Sequence, residues 1–453
     1  MSLLTSLILL ASILALPQAT AAAPKVGSTC SKAGVFFDTP NKRFVCKKEG
    51  KKKVWRVWSP AATPTTKPTP TPTSSATPTP TPTKTAAPFV APKPITLPAA
   101  QTGTITFANV LDRIAEIPMT AWQKVADLIA SNPTPAKAIA NEVHVGPNTK
   151  IVIAGGLPRI QELLLRNQKL WSGFTQVSTF NLLMYNAQDE PWAEEDWKKT
   201  GAEKKYFAGT IKAEVTRIAG NCQQTISPGV FSGPPTNCSG ADSTALENSN
   251  DAILTFGLDD GNNNGPFVTS GGILGHEYTH AVQAAQWIGK PSSYCTEQTN
   301  SAACSRSWNS NWGFSPCWLF EGLPNSVGQM TAYETYALYQ DARKNIPYGQ
   351  GPTIVTDYSQ ASLLNYLVNQ SHSTCYANGN LYRLGYTVGA LTVEILTAIA
   401  GPQAAMALYS LGAEGQSFET AFQNVYGISW SDASVILSKV LAAEYATFGP
   451  PPF

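Results

Sequence analysis

The sequence predicts an α+β protein preceded by a small β-rich module. Two segments up to residue 258, QVSTFNLLMYN and DAILTFGL, alternate or concentrate apolar residues as β-strands do. From Tyr386 onward the apolar spacing is helical nearly to the end of the chain. Residues 25–58 alternate apolar and polar residues around Cys30 and Cys46, which indicates a small sheet closed by a disulfide. We therefore expect a small upstream sheet, a helix-rich C-terminal half and a separate N-terminal module.

The chain divides into four predicted parts. Residues 1–23 have the layout of a secretory signal peptide, with an apolar run and a small-residue cleavage site, although its usual basic start is missing. Residues 24–59 form the basic module with its cysteine pair, and residues 60–100 form a Pro/Thr-rich linker that cannot build a core. Residues 101–453 are globular in composition and begin with the helical segments TAWQKVADLIASNP and PRIQELLLRNQKLW.

The leader and the cysteines predict a secreted, extracellular protein. Eight cysteines, an even number, suit disulfides in an oxidising compartment. No later stretch is expected to span a membrane. The protein would also be associated with a cell wall if its basic module binds one.

Basic charge is concentrated in the N-terminal module. Residues 25–59 carry ten Lys or Arg against two acidic side chains, whereas residues 101–453 carry nineteen basic and twenty-eight acidic ones. A nucleic-acid partner for the whole protein is therefore not expected. Lys51–Lys53 with Trp55 and Trp58 suit an anionic cell-wall polymer, and a solvated basic face is the alternative. Salt-sensitive binding of this segment to cell walls would separate the two.

The segment GGILGHEYTHAVQ contains an H-E-x-x-H motif with two of the four histidines of the chain. On a helix, His276 and His280 point to the same side, so their imidazoles can share one zinc ion. Glu277 lies beside them, where its carboxylate can take a proton from an attacking water molecule. This spacing predicts a catalytic metal site.

The third protein ligand is predicted to be a carboxylate. In the pattern H-E-x-x-H-x-x-G-x-x-H, the glycine and third histidine would fall at Gln283 and Gln286, so that pattern fails. His144 and His372 have no helical pairing. Of the downstream carboxylates, Glu321 lies where an apolar run meets a predicted helix, and Glu297 lies in a polar loop bounded by cysteines. We favour Glu321, because a ligand needs rigid support, with Glu297 as the alternative.

HEYTH followed by WLFEGLPNSVG resembles the gluzincin metallopeptidases, in particular the peptidase MA-like and M1 aminopeptidase-like catalytic domains. The segments YTVGALTVEILTAIAG and GQSFETAFQNVYGISWSD extend the resemblance over roughly residues 250–445. It implies a thermolysin-like domain with His276, His280 and Glu321 as zinc ligands and Glu277 as general base. It also implies that Tyr386 stabilises the oxyanion, with Tyr382 as the runner-up.

The chain departs from the family pattern in places. Pro324 stands where the family usually has alanine, and no segment matches the G-x-M-E-N stretch with which M1 aminopeptidases bind a substrate's N-terminus. We therefore expect endopeptidase rather than aminopeptidase activity on peptides or proteins. The alternative is a non-catalytic cell-surface or cell-wall binding protein that uses a peptidase-like scaffold.

Two smaller signals accompany the motif. DGNNNG matches the first half of an EF-hand loop through Asp260, Asn262 and Asn264, but Gly271 stands at position 12, so a calcium site would be weak and a plain Asn/Gly turn is the alternative. Separately, a Cys317–Cys375 bridge would connect the third ligand to the segment with the tyrosines, and a Cys304–Cys317 pairing would exclude it.

Overall fold

The computed structural model divides into two compact units, residues 1–89 and 90–453. Residues 1–23 and the predicted linker up to residue 94 lie outside the part that the structure describes. The described residues are 25–30, 36–39, 42–57, 95–134, 140–199, 218, 222, 225–227, 230–231, 238, 240–245, 251–259, 264–287, 314–348, 357–369 and 381–449.

The N-terminal unit contains a three-stranded antiparallel sheet. Its strands are β1 (Phe36–Thr39), β2 (Lys42–Glu49) and β3 (Lys52–Val57), in the order β1-β2-β3. The predicted Cys30–Cys46 disulfide is confirmed, and Cys46 is buried with Phe44 and Val54. Gly50, with φ 58°, opens the two-residue turn between β2 and β3, because such turns need positive φ.

Lysines cover this hairpin. Lys48 on β2 lies directly opposite Lys53 on β3, a like-charge pairing that disfavours the sheet. Glu49 forms a salt bridge with Arg56, so these two charges neutralise each other. The unit therefore presents a basic face, and the anionic polymer stays a prediction.

The larger unit contains a four-stranded sheet in the order β4-β5-β9-β8. Strands β4 (Ala140–Val145), β5 (Thr179–Tyr185) and β9 (Asp251–Gly257) are parallel, and β8 (Gly240–Ala245) pairs antiparallel with β9 at the edge. Every residue of β9 is buried, as expected for a strand covered on both faces. Two short strands, β6 (Thr225–Ser227) and β7 (Val230–Phe231), form a separate ribbon.

Helices cover the sheet and form most of the chain after residue 266. A 3₁₀ helix, Val110–Glu116, precedes the first α-helix, and a π-helical turn, Gly385–Gly389, joins α9 to α10. The α-helices are α1 (Ile117–Ser131), α2 (Gly156–Leu170), α3 (Glu190–Lys199), α4 (Pro266–Thr269), α5 (Gly272–Ala285), α6 (Cys317–Ala332), α7 (Tyr336–Arg343), α8 (Gln360–Val368), α9 (Leu381–Leu384), α10 (Ala390–Ala400), α11 (Pro402–Ala413), α12 (Phe418–Tyr426) and α13 (Trp430–Phe448). The larger unit is thus mixed helix and sheet. All four strands of its main sheet precede α5, the helix with the H-E-x-x-H motif, in the sequence.

Residues 95–100 belong to the larger unit rather than to the linker. Leu97 packs against the hydrophobic core, and the side-chain Nε2 of Gln403 donates to the carbonyl oxygen of Ala99 at 2.9 Å. Residues 95–100 have both polar and apolar partners in the larger unit. The prediction that the linker extends to residue 100 is therefore wrong for these six residues.

One helix in the described residues, Tyr382–Ala400, is long and apolar enough to cross a membrane, contrary to the sequence expectation. However, 83% of its apolar window is buried inside the protein. It also carries Glu394, which accepts hydrogen bonds from Arg343 Nε at 2.8 Å and from the hydroxyl of Tyr339. Burial and this polar pairing mark it as a core helix of the folded domain.

Disulfides also join parts of the larger unit. Cys222 is bonded to Cys238. Cys317, at the start of α6, is disulfide-bonded as well. Cys295, Cys304 and Cys375 lie outside the described residues, so the Cys317–Cys375 bridge stays a prediction.

Replacing Glu444 by glutamine is expected to stabilise the protein at alkaline pH. Burial raises the pKa of Glu444 to about 8, although Arg343 Nη2 donates to it at 3.1 Å. Between about pH 4.5 and pH 8 the folded state keeps the Glu444 carboxyl protonated, whereas the unfolded state has released that proton. The free energy of unfolding therefore falls as the pH rises from 4.5 to about 8. The pKa of Glu444 differs between the folded state, about 8, and the unfolded state, 4.5. Each unit of that difference corresponds to about 1.4 kcal/mol, so the variant should gain on the order of 4 kcal/mol of stability at pH 8.

The check is the difference in Tm between the Glu444→Gln variant and the unmodified protein at pH 5 and at pH 8. Glu419→Gln, which removes an exposed carboxylate on α12, is the matched control. A Tm difference that is the same at both pH values would contradict the expectation.

Candidate metal centre

The H-E-x-x-H motif lies on the buried helix α5, which begins after Gly271. Gly271 has φ 84°, and a Cβ there would lie 2.3 Å from a methyl of Leu163, so both backbone and space require glycine. His276 and His280 are only 2% and 5% exposed. Their Nε2 atoms lie 3.2 Å apart. The motif is therefore helical, as predicted, and both imidazoles turn to one point.

The carboxylate of Glu321 reaches the same point from α6. Its Oε2 lies 3.3 Å from Nε2 of His280 and 3.7 Å from Nε2 of His276. Glu321 is 2% exposed. Among the residues that the structure describes, these three form a group that can hold a metal ion, with ligand atoms all within 4.8 Å of one another.

The alternative ligands do not join this group in the described structure. His144 lies on β4, where its Nδ1 is 2.8 Å from Oδ2 of Asp196. Glu297 and His372 lie outside the described residues. The structure thus brings together the two motif histidines and the favoured carboxylate.

The spacing of the three ligand atoms fits one metal ion. In a tetrahedral zinc site with metal–ligand distances of about 2.0–2.1 Å, neighbouring ligand atoms lie roughly 3.4 Å apart. The three distances of 3.2, 3.3 and 3.7 Å are close to that edge length. Two imidazoles and a single carboxylate also leave a fourth position for water or substrate.

The two imidazoles are oriented in different ways. Nδ1 of His280 lies 2.8 Å from Oε1 of Gln283, and Nε2 of Gln283 donates to the carbonyl oxygen of Phe320 at 3.3 Å. The glutamine oxygen therefore accepts from Nδ1, and the lone pair of Nε2 is left for the metal. His276 is held by rings instead, stacked on Tyr386 at 5.5 Å and edge-on to Phe267 at 6.0 Å between centroids.

Burial controls the charge of the centre. It lowers the pKa of His276 to about 3, with His280 adding to the effect, so this imidazole is neutral at ordinary pH. Burial also acts to lower the pKa of His280, but the hydrogen bond and negative charge of Glu321 outweigh it, and the pKa is raised. A carboxylate beside two imidazoles is a donor set that favours a divalent cation.

Glu277 lies next to the ligands and is held by the edge strand. Its Oε1 is 4.0 Å from Nε2 of His276. Its Oε2 accepts a hydrogen bond from the backbone N–H of Ser243 at 2.9 Å, and the Ser243 hydroxyl donates to the backbone carbonyl of Glu277 at 2.9 Å. Burial raises the pKa of Glu277 to about 7. A metal cation at the adjacent ligands would lower it again.

Glycines allow the three helices of the site to approach closely. A Cβ on Gly328 of α6 would lie 2.5 Å from the carbonyl oxygen of Gly272 and 2.8 Å from the amide of His276. A Cβ on Gly385 would lie 2.7 Å from Cβ of Glu321. Backbone contacts therefore join α6, which carries Glu321, to the motif helix at Gly328 and to the tyrosine segment at Gly385. These contacts hold the site residues at fixed distances from one another.

Tyr386 lies at the site, and Tyr382 lies behind it. Tyr386 is in the π-helical turn Gly385–Gly389, a distortion that is frequent at functional sites. Asn325 Nδ2 donates to its carbonyl oxygen at 2.6 Å. The Tyr382 ring contacts the Tyr386 ring edge-on at 6.1 Å between centroids. Stacking on His276 brings the Tyr386 ring next to the ligands, and its role as the oxyanion donor stays a prediction.

The calcium hypothesis rests mostly on residues that the structure does not describe, Asp260 and Asn262. The side chain of Asn264 bonds the backbone of Asp259 twice, donating to its carbonyl at 2.7 Å and accepting from its amide at 3.2 Å. Both polar atoms of the Asn264 side chain are thus used within an Asn/Gly turn, as the alternative to a calcium site expects for this residue.

Several site residues escape sequence reasoning. Ser243 lies on β8, whose sequence GADSTA has no apolar alternation to indicate a strand. Gln283 follows His280 by three residues, and side chains at this spacing are neighbours on a helix. The sequence therefore contains enough information to predict their contact. Asn325 and Gln329 follow Glu321 at intervals of four and lie on its side of α6.

Comparisons with models of protein families, with curated proteins and with solved structures give no match. The thermolysin-like arrangement implied by the motifs therefore stays a prediction, and the chemistry of the site rests on its own geometry.

Proposed function

We propose that this protein is a secreted zinc-dependent peptidase of the gluzincin type that hydrolyses peptide bonds, with endopeptidase activity favoured. The observation that carries the proposal is the convergence of His276, His280 and Glu321 at 3.2–3.7 Å, with the carboxylate of Glu277 beside them. The buried group of two imidazoles and a carboxylate suits a bound cation, and the carboxylate of Glu277, which lies outside that group, suits a catalytic role.

Zinc is the metal that this donor set favours. Two imidazole nitrogens and one carboxylate oxygen with an open position are the ligands of catalytic zinc in many hydrolases. A zinc ion bound there supplies Lewis-acid chemistry, since it acidifies water and polarises a carbonyl group.

Glu277 is proposed to be the general base. Its carboxylate takes the proton of the water that adds to the scissile carbonyl carbon. It then gives that proton to the amide nitrogen as the C–N bond breaks, so a carboxylic acid and an amine result. The hydrogen bond from the Ser243 amide positions this carboxylate at 2.9 Å.

Tyr386 is proposed to donate a hydrogen bond to the oxyanion, and its replacement by phenylalanine is expected to lower kcat about 100-fold with little change in KM. The donor acts on charge that exists only in the transition state. Steady-state kinetics on one peptide substrate measure both constants. Tyr382→Phe is the matched control, and a larger loss in that variant would transfer the role to Tyr382.

Export is proposed from the leader together with the disulfides. The Cys30–Cys46 and Cys222–Cys238 bridges suit an oxidising, extracellular environment. A cell-wall-associated location rests on the basic face of the N-terminal unit.

The alternative is a binding protein that uses the same scaffold without hydrolysis. The presence of all three ligands and of Glu277 counts against it, because only catalysis needs the base. A mixed peptide library incubated with the zinc-loaded mature protein separates the two. Cuts that disappear in the Glu277→Gln variant support a peptidase, and their positions distinguish endopeptidase from aminopeptidase. A zinc-loaded protein that cuts nothing supports the scaffold.

A further inference from the structure

A cleft of about 190 Å³ opens beside the metal ligands. Phe267 and Tyr386, the two aromatic side chains that contact the His276 ring beside that of His280, are both part of its wall. Asn325 and Gln329 of α6 form another part of the wall, one and two helical turns beyond Glu321. A chain bound at the metal would therefore have one of its side chains at this cleft.

The part of the cleft wall that the structure describes is uncharged. Its lining there contains glycine, proline, alanine, isoleucine, aromatic, threonine and amide side chains, and no Asp, Glu, Lys or Arg among the described residues. A charged side chain that entered it would lose hydration without gaining an opposite charge. The cleft therefore selects against charged side chains.

Gln329 leaves a buried hydrogen-bonding atom in this wall. The residue is 8% exposed, and its Oε1 has no hydrogen-bond partner among the described residues. Asn325, one turn earlier, differs because its Nδ2 is already bonded to the carbonyl of Tyr386 at 2.6 Å. Among the buried side-chain atoms that have no partner in the described structure, Oε1 of Gln329 is the one whose residue lines this cleft, so a donor supplied by a ligand there could satisfy it.

We propose that this cleft is a substrate subsite that takes an uncharged, hydrogen-bond-donating side chain, with the carboxamide of glutamine or asparagine preferred, and that Gln329 is the residue that recognises it. The proposal rests on the proposed peptidase function and names the class of side chain next to the cleaved bond. A carboxamide suits the wall because its N–H donates to Oε1 of Gln329 while its carbon chain packs on Phe267 and Tyr386.

The test uses the zinc-loaded Glu277→Gln protein, so that binding is measured without turnover. Fluorescently labelled oligoalanine peptides carry a single Gln, Met or Glu that is moved through each position. Fluorescence anisotropy is expected to show one position at which Gln binds about tenfold more tightly than Met or Glu, the effect of one well-formed hydrogen bond. In the Gln329→Met background this preference should disappear.

Two further variants guard against loss of fold. Gln340→Met makes the same change at an exposed position outside the cleft and should leave the preference intact. Gln329→Glu places a negative charge in the wall and should make a Lys peptide bind about tenfold more tightly than it does to the parent, which misfolding cannot produce.

The outcomes separate the two proposals. A Gln preference that is absent at every position, or that survives Gln329→Met, overturns the subsite even if the protein cleaves peptides. A Gln329-dependent preference in a protein that shows no Glu277-dependent cleavage keeps the subsite and overturns the peptidase.

Discussion

Glu277→Gln is expected to lower kcat for peptide hydrolysis by roughly 10³- to 10⁴-fold and to leave zinc bound. The amide has the shape of the carboxylate but cannot accept the proton of the attacking water, and general-base catalysis contributes up to about 10⁴-fold. The metal ligands are untouched, since Glu277 is not one of the three residues His276, His280 and Glu321 that form the ligand group. Turnover of a fluorogenic peptide and the zinc content per chain are the two measurements.

Two other results for the Glu277→Gln variant would change the role of Glu277. More than a tenth of the parental kcat would remove Glu277 from the mechanism. Loss of zinc together with activity would make Glu277 a support of the metal instead of a base. Glu419→Gln, which changes an exposed carboxylate far along the chain, controls for the loss of one negative charge.

Glu321→Ala is expected to weaken zinc binding by more than about 100-fold and to abolish hydrolysis with it. Removing even a residue that only supports a ligand costs 10- to 100-fold in metal affinity, so removing a ligand costs more. The carboxylate also carries the one negative charge of the ligand group, and two buried neutral imidazoles hold a dication weakly. Competition with a chelator of known affinity measures the effect.

Glu321→Gln keeps the volume of the buried side chain and separates ligand loss from a packing defect. It should lose zinc nearly as completely while the metal-free protein still unfolds in one cooperative transition, which shows that it remains folded. If both variants bind zinc as the parent does, the third ligand lies elsewhere. Glu297, the other carboxylate that the sequence offers, would then be the residue to replace.

The sequence predicts the parts of this centre that depend on local spacing. His276 and His280 are placed by helical periodicity alone, and Glu321 follows from the need for a rigid element. Ser243 is beyond such reasoning, because it reaches Glu277 from an edge strand thirty-four residues upstream in a polar segment. Its position beside Glu277 depends on the packing of β8 against the motif helix, a contact between separate elements that local patterns do not predict.

The same division holds for the fold. The helices α1 and α2 and the strands β5 and β9 have strong apolar patterns and lie where predicted. The docking of residues 95–100 onto the domain depends on partners about three hundred residues away, such as Gln403. The close approach of Gly385 to Glu321 likewise becomes visible only when the helices are packed.

The buried glutamate of the helix Tyr382–Ala400 has a consequence for the chain before it folds. A chain that leaves the cell passes each segment through a translocation channel, where a sufficiently apolar helix escapes sideways into lipid. An acidic residue near the centre of such a helix opposes this escape by about 2.5–3.5 kcal/mol. Glu394 lies close to the middle of the segment, so under the proposed export the carboxylate that Arg343 later neutralises would first keep the nascent chain moving outward.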